Sequence, residues 1–344
     1  MNSAIETPTG SSLLQRLRNI RSSGRLRRFT TLAQLWTLVV LFIIFGLAAP
    51  NFFTPRNLEN ILRQVSTLAV FGTGMTFVLL LGEIDLAIAA NAAVTAMISA
   101  HLFTNLGLPE PVPMIASLGA ATLLGFLAGI SSARFRIPSF MTTLAVSLIA
   151  GGLTTYISKG RVITAISPWP AFLGSGRIGG ETTGFPVIVI VAVLSLAIGY
   201  LVLRYTRFGR YVYMTGASKS AARLAGVNTD RILIMVLTIC GFTAGLAGIV
   251  SMGRLHSAQP DAAPSFLIDT IGAVVLGGTS LMGGRGGMLQ TVIGLLIYGT
   301  LRNGLDNIPQ IDIYLKEFIT GVVLLVALMV NTVFAGQAER DKTM

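Results

Sequence analysis

Charge is what this sequence has least of. Only 11% of its 344 residues are Asp, Glu, Lys or Arg, against 53% that are hydrophobic, where a soluble chain carries about a quarter charged. So little polar surface cannot cover water-soluble domains of this length. The same shortage excludes a disordered chain and removes nucleic acid as a partner, despite a net charge of +11. The single cysteine, Cys240, rules out a disulfide scaffold and a thiolate metal site. Lying in an apolar run, it reads as a small packed residue. Two histidines, His101 and His256, are too few for a histidine-rich metal centre. None of Lys159, Lys219, Lys316 and Lys342 stands in a G-x-x-x-x-G-K-[ST] phosphate loop. No G-x-S-x-G elbow or H-E-x-x-H pair supplies a catalytic set. Gly174-Ser-Gly176-Arg-Ile-Gly179 matches G-x-G-x-x-G, but no strand precedes it and no βαβ unit surrounds it, so it reads as a flexible loop. The expectation is a chain with no catalytic residues, no metal and no cofactor of its own.

What the chain has instead is apolar runs near the ~20 residues needed to cross a bilayer. Ten are expected to be spans, at 32–49, 62–81, 84–103, 112–131, 140–158, 185–204, 232–252, 267–282, 287–304 and 315–331. The basic stretch before Leu32 is not expected to belong to a cleaved signal, because Ala48-Ala-Pro50 resembles a helix end. Alternating the ten spans from a cytoplasmic N-terminus puts 17 of the 25 Lys and Arg inside and 8 outside, which places both termini inside. The predicted fold is therefore all-α: a polytopic membrane protein of about ten transmembrane helices with both termini cytoplasmic. Residues 1–31 form a basic cytoplasmic arm attracted to anionic lipid, 32–331 the membrane domain, and 332–344 a cytoplasmic tail. Glycines recur four apart, as in Gly125-x-x-x-Gly129 and Gly241-x-x-x-Gly245, a spacing that lets helix backbones approach closely.

The most informative stretch is the internal loop 204–231. Ser218 is placed to cap a short helix and Gly226 to end it two turns later. Ala221, Leu224 and Ala225 fall on one face, and Lys219 and Arg223 on another. Two turns are too short to be stable alone in water. A small apolar face beside the membrane suits docking in a partner's groove, or else the helix rests on lipid.

Here a family resemblance enters. Phe208-Gly209-Arg210 followed by Tyr213 and Gly216, and then Ala221-Ala222-Arg223-Leu224-Ala225-Gly226-Val227, resemble the coupling loop of bacterial ATP-binding-cassette importer permeases of the ribose/galactose type. Gly74-Met-Thr-Phe-Val78, Gly82-Glu83-Ile-Asp85-Leu86, Pro138-Ser139-Phe-Met-Thr142-Thr143-Leu144, Gly277-Gly278-Thr279-Ser280-Leu-Met-Gly-Gly-Arg-Gly286 and Asn303-Gly-Leu305 resemble further family segments, in the same order. Two departures stand out. Glu83 occupies the place of the usual second Gly of G-G-I-D-L, and Thr215-Gly-Ala-Ser218 replaces a G-G-N stretch. The first puts two acids in one tight inner turn, which alters gating or substrate range or merely adds a solvated charge.

The resemblance implies a division of labour. Two copies, or one copy and a similar permease, would form the pore in the bacterial inner membrane. Two separate ATPase subunits, holding ATP and Mg, would sit beneath the internal loops, coupled to the permease through Gly209, Gly216 and Ala221–Gly226. A periplasmic binding protein would deliver a pentose, hexose or related polyol. For such neutral cargo, Thr73, Thr76, Asn91, Ser139, Thr142 and Thr143 are candidate path residues, although hydroxyls in spans commonly bond their own backbone. Leu81–Leu86 can be laid over Leu276–Leu281, predicting two equivalent inner turns with Gly82 matched to Gly277 and parallel flanking spans. An ion-coupled transporter or channel is the alternative. It would want ionisable residues in mid-span, whereas Glu83, Asp85, Asp269 and Glu317 fall near the expected span ends.

Overall fold

The computed structural model describes residues 34–164, 166–180, 184–260 and 263–340. The basic arm 1–31 and the last four residues of the tail lie outside them. Thirteen helices follow in order among the described residues: α1 (Gln34–Ala48), α2 (Pro55–Leu80), α3 (Ile88–Thr104), α4 (Val112–Phe135), α5 (Ser139–Ser158), α6 (Pro168–Ser175), α7 (Val187–Tyr205), α8 (Arg207–Ala217), α9 (Lys219–Leu224), α10 (Thr229–Leu255), α11 (Ala263–Leu276), α12 (Met288–Asp306) and α13 (Ile313–Arg340). Between α6 and α7 a short antiparallel pair joins β1 (Arg177–Ile178) to β2 (Phe185–Pro186). Ten of the helices coincide in order with the ten apolar runs. Five of these, α2, α4, α5, α7 and α10, are by length and composition able to cross a bilayer, and α1, α3 and α11 are shorter apolar helices. The tail expected at 332–344 instead begins as a continuation of α13, which runs to Arg340.

Local chemistry sets the helix ends. Thr54 caps α2 by accepting from the Asn57 amide at 3.4 Å, with Pro55 at the first helical position. Asn228 caps α10 by accepting from the Arg231 amide at 3.0 Å. The bundle is built around α2 and α10: 83% of the apolar window of α2 is buried, against 28% in α4, α5 and α7, whose outer faces are apolar and open. A soluble protein could not leave Leu148, Ile149, Val193, Leu194 and Ile198 exposed together; in a bilayer these faces meet lipid. α4 crosses α10 where Gly125 lies against Gly241, and a Cβ on Gly125 would overlap the Leu237 carbonyl oxygen.

The loops sort onto two sides as the alternation of spans requires. On the inner side, Gln34 Nε2 donates to Gly277 O at 2.9 Å, and the Gly284 amide donates to Leu80 O at 2.9 Å. On the outer side, Ile163 bridges Ala258, Arg177 holds Glu59, and Asn57 donates to Asn303 Oδ1 at 2.9 Å. The Gly174–Gly179 stretch ends α6, where Gly174 packs on the backbone of α10 at Val250 and Arg254. It is a packing contact.

Candidate functional site

The candidate site lies on the inner face. Thr206 accepts from the Gly209 amide at 3.1 Å and starts α8, whose buried side is Gly209, Val212 and Thr215. Ser218 ends α8 and starts α9 by accepting from the Ala221 amide at 3.2 Å. Gly226, at φ +80°, ends α9, and the Val227 amide closes back onto Ala222 O at 3.0 Å. A six-residue helix needs tertiary support. It has Ala222, which is 1% exposed, and Arg223, whose Nε donates to Thr229 Oγ1 at 2.9 Å and whose Nη2 donates to Asp230 Oδ1 at 3.0 Å. Ala221, Leu224 and Ala225 then face outward together, with Leu224 91% exposed. Ala222 faces the protein, because i+1 from Ala221 turns it about 100° away from the outward face, so it anchors α9 and cannot itself touch a partner.

Both inner turns meet this segment. After α2, the Gly82 amide bonds Leu79 O at 3.0 Å and the Glu83 amide bonds Val78 O at 3.2 Å. After α11, the Gly278 amide bonds Val275 O at 2.8 Å and the Thr279 amide bonds Val274 O at 3.3 Å. The two helices therefore end in the same hydrogen-bond pattern, with the left-handed residue at Gly82 (φ +76°) and Gly278 (φ +94°). This shifts the expected register by one: Gly82 matches Gly278, not Gly277. Gly277 is needed for a different reason, since a Cβ there would overlap Gln290 O of α12. Gly216 is the point where α8 crosses both turns. A Cβ on it would overlap Leu80 O and stand 2.8 Å from the Gly284 amide. Tyr213 adds a hydrogen bond to Gly286 O at 3.0 Å.

The polar side chains of the turns have local partners. Asp85 is buried and accepts from the Ala87 amide at 2.7 Å, which holds the chain at the start of α3. Glu83 accepts from Ser139 Oγ at 2.6 Å and stands 3.9 Å from Lys219 Nζ. Thr279 is buried and Ser280 accepts from the Met282 amide at 3.1 Å. A cavity of about 290 Å³ opens between the α2–α3 turn and α8–α9, with Glu83, Thr215, Ser218 and Lys219 among its walls.

The six candidate path residues do not form one lining. Thr73 and Thr76 donate to Ala69 O and Gly72 O on α2, at 2.9 and 2.6 Å, and Thr76 also meets Thr291 of α12. Asn91 is buried in α3 with neither amide atom partnered. Ser139 and Thr143 clasp the α2–α3 turn, the latter accepting from the Leu86 amide at 3.0 Å, and Thr142 bonds Ser139 O. Two polar groups went unread in the sequence. Asp269, Tyr298 and Arg302 form one, with Asp269 accepting from Tyr298 OH at 2.5 Å and from Arg302 Nη1 at 2.7 Å. Asp269 was expected near a span end, but α11 begins at Ala263, which puts it mid-helix. The i, i+4 spacing of Tyr298 and Arg302 is its only sequence trace. The other group is Asn57, Asn303 and Asn307, which tie α2 to the outer end of α12.

Comparison with known proteins places the chain in a family. Residues 57–328 match the family described as branched-chain amino acid transport system / permease component. The ribose import permease protein of Escherichia coli K12 is 38% identical over 295 residues, covering 86% of this chain and 91% of its own length. That of Bacillus subtilis is 37% identical over 294 residues, with 86% and 90% covered. The fructose import permease protein of Rhizobium meliloti is 32% identical over 327 residues, with 93% and 89% covered. With its multi-pass apolar bundle, the chain belongs to this permease family and, within it, to the membrane-embedded import permeases of the ribose/galactose type.

Proposed function

We propose that this chain moves a monosaccharide or related polyol across the bacterial inner membrane, driven by a separate ATPase that docks on the outward face of α9. The observation that carries the reading is the apolar trio Ala221, Leu224 and Ala225, exposed on a helix that is itself anchored beside both inner turns. An ATPase gripping α9 pulls on α8, and α8 touches the ends of α2 and α11–α12 through Gly216. Movement at the cytoplasmic surface is thereby delivered to three membrane helices at once. ATP and Mg belong to the ATPase. Permease components are transport subunits, and this sequence holds no phosphate loop of its own.

Delivery of sugar falls to a periplasmic binding protein, and the pore is completed by a second copy or a similar permease. Transport follows alternating access, in which ATP binding shifts the population between outward-open and inward-open states. The Asp269 carboxylate is held by Tyr298 and Arg302, so it is already engaged, which disfavours an ion relay through α11. The test is co-purification: the ATPase should stay with the wild-type chain and leave Leu224→Asp. Retention of the ATPase by that variant would remove the proposed docking face.

A further inference from the structure

The carboxylate of Glu83 joins two helices that otherwise have separate neighbours. α5 rests mainly on α3 and α4, and α9 on α8 and α10. Ser139 is the first residue of α5 and Lys219 the first of α9. Glu83 Oε2 accepts from Ser139 Oγ at 2.6 Å, while Oε1 stands 3.9 Å from Lys219 Nζ. The backbone gives no reason for a glycine at 83, since Gly82 alone in this turn carries positive φ. The side chain at 83 is therefore an addition that this turn tolerates and the resembling family motif lacks.

We propose that Glu83 is a positioning residue that transmits displacement of α9 to the inner end of α5. The proposal rests on the reading of α9 as the ATPase-facing helix. The two legs differ in strength. The Ser139 leg is a short, charge-assisted hydrogen bond in a partly buried place. The Lys219 leg is longer and its lysine is half exposed, so it is screened by salt and easily made or broken. A firm joint on the α5 side and a soft one on the α9 side let the two helices move in concert without being welded. α5 is suited to respond, since it is little buried along its length.

The experiment uses the full chain reconstituted in proteoliposomes with its ATPase and binding protein. Labelled D-ribose is the probe, and labelled D-fructose is used if ribose is not carried. Sugar moved per ATP hydrolysed is measured for wild type, Glu83→Gly, Ser139→Ala and Lys219→Met. Glu83→Gly and Ser139→Ala should keep the ATPase bound and hydrolysing while sugar moved per ATP falls about fivefold or more, the lower bound of typical allosteric coupling. Lys219→Met, which removes the α9 leg, should lose sugar moved per ATP to a similar degree, and its ratio should no longer fall with added salt. A sugar-independent readout uses a spin label on exposed Met141 of α5, introduced as Met141→Cys; the native Cys240 is buried. The label should respond to ATP in wild type and not in Glu83→Gly. An unchanged ratio and label response in Glu83→Gly would overturn the proposal, as would parallel loss of hydrolysis and transport. Failure of the wild-type chain to hold the ATPase would instead overturn the reading of α9.

Discussion

Gly216→Ala adds one methyl group at the crossing of α8 with both inner turns, and its cost can be worked from the surrounding atoms. The new Cβ would overlap Leu80 O and sit 2.8 Å from the Gly284 amide. That carbonyl belongs to the last turn of α2, where helix geometry supplies no partner, and the Gly284 amide fills the vacancy at 2.9 Å. Pushing the strands of this junction apart forfeits that hydrogen bond, about 0.5–1.5 kcal/mol net. Overpacking adds about 1–3 kcal/mol. The sum is roughly 1.5–4.5 kcal/mol, read as a fall of several degrees in the melting temperature of detergent-solubilised protein. Gly119→Ala is the control, because a Cβ there meets nothing within 4 Å in the middle of α4. It should be neutral or stabilising by up to about 1 kcal/mol. Thermal unfolding of the three proteins decides the matter. If Gly216→Ala melts with wild type, the junction is looser than described and the proposed route from α8 to α2 and α11–α12 fails with it.

Leu224→Asp should leave the melting temperature unchanged, because an exposed site away from packing costs within about 0.5 kcal/mol. It should weaken ATPase docking by roughly 10–150-fold, the value of burying one leucine; equal affinity in a titration would refute it. Ala222→Glu should do the reverse, destabilising the isolated permease by putting an acid where the side chain is 1% exposed. Asp85→Ala should lower stability by about 1–3 kcal/mol through loss of the buried hydrogen bond from the Ala87 amide at the start of α3, with denaturant unfolding as the check. Permease and ATPase without the binding protein should bind sugar only weakly in equilibrium dialysis, and micromolar affinity there would contradict delivery by an outer partner.

Much of the fold was legible because lipid demands long apolar runs, and each of the ten became a helix. Boundaries suffered where apolar residues occupy turns. Leu281 and Met282 read as the end of a span, yet both are exposed in the α11–α12 turn, and glycines at 278, 283, 284, 286 and 287 hold that turn in positive φ. The same slip hid Asp269 at a supposed helix end. The caps of α9 followed from Ser218 and Gly226, since capping is local chemistry. Which of Ala221 and Ala222 faces inward was set by contacts with the rest of the inner face, beyond what six residues reveal. The Asn57–Asn303–Asn307 group joins residues about 250 positions apart, and no local pattern announces such a meeting.

The central claim is tested most directly by uptake into proteoliposomes holding the permease and ATPase, with ATP inside and labelled sugar plus binding protein outside. The account predicts accumulation that requires both ATP and the binding protein, persists when proton and sodium gradients are collapsed by ionophores, and disappears in Leu224→Asp. Accumulation driven by an ion gradient without ATP, or full ATP-driven uptake by Leu224→Asp, would contradict it.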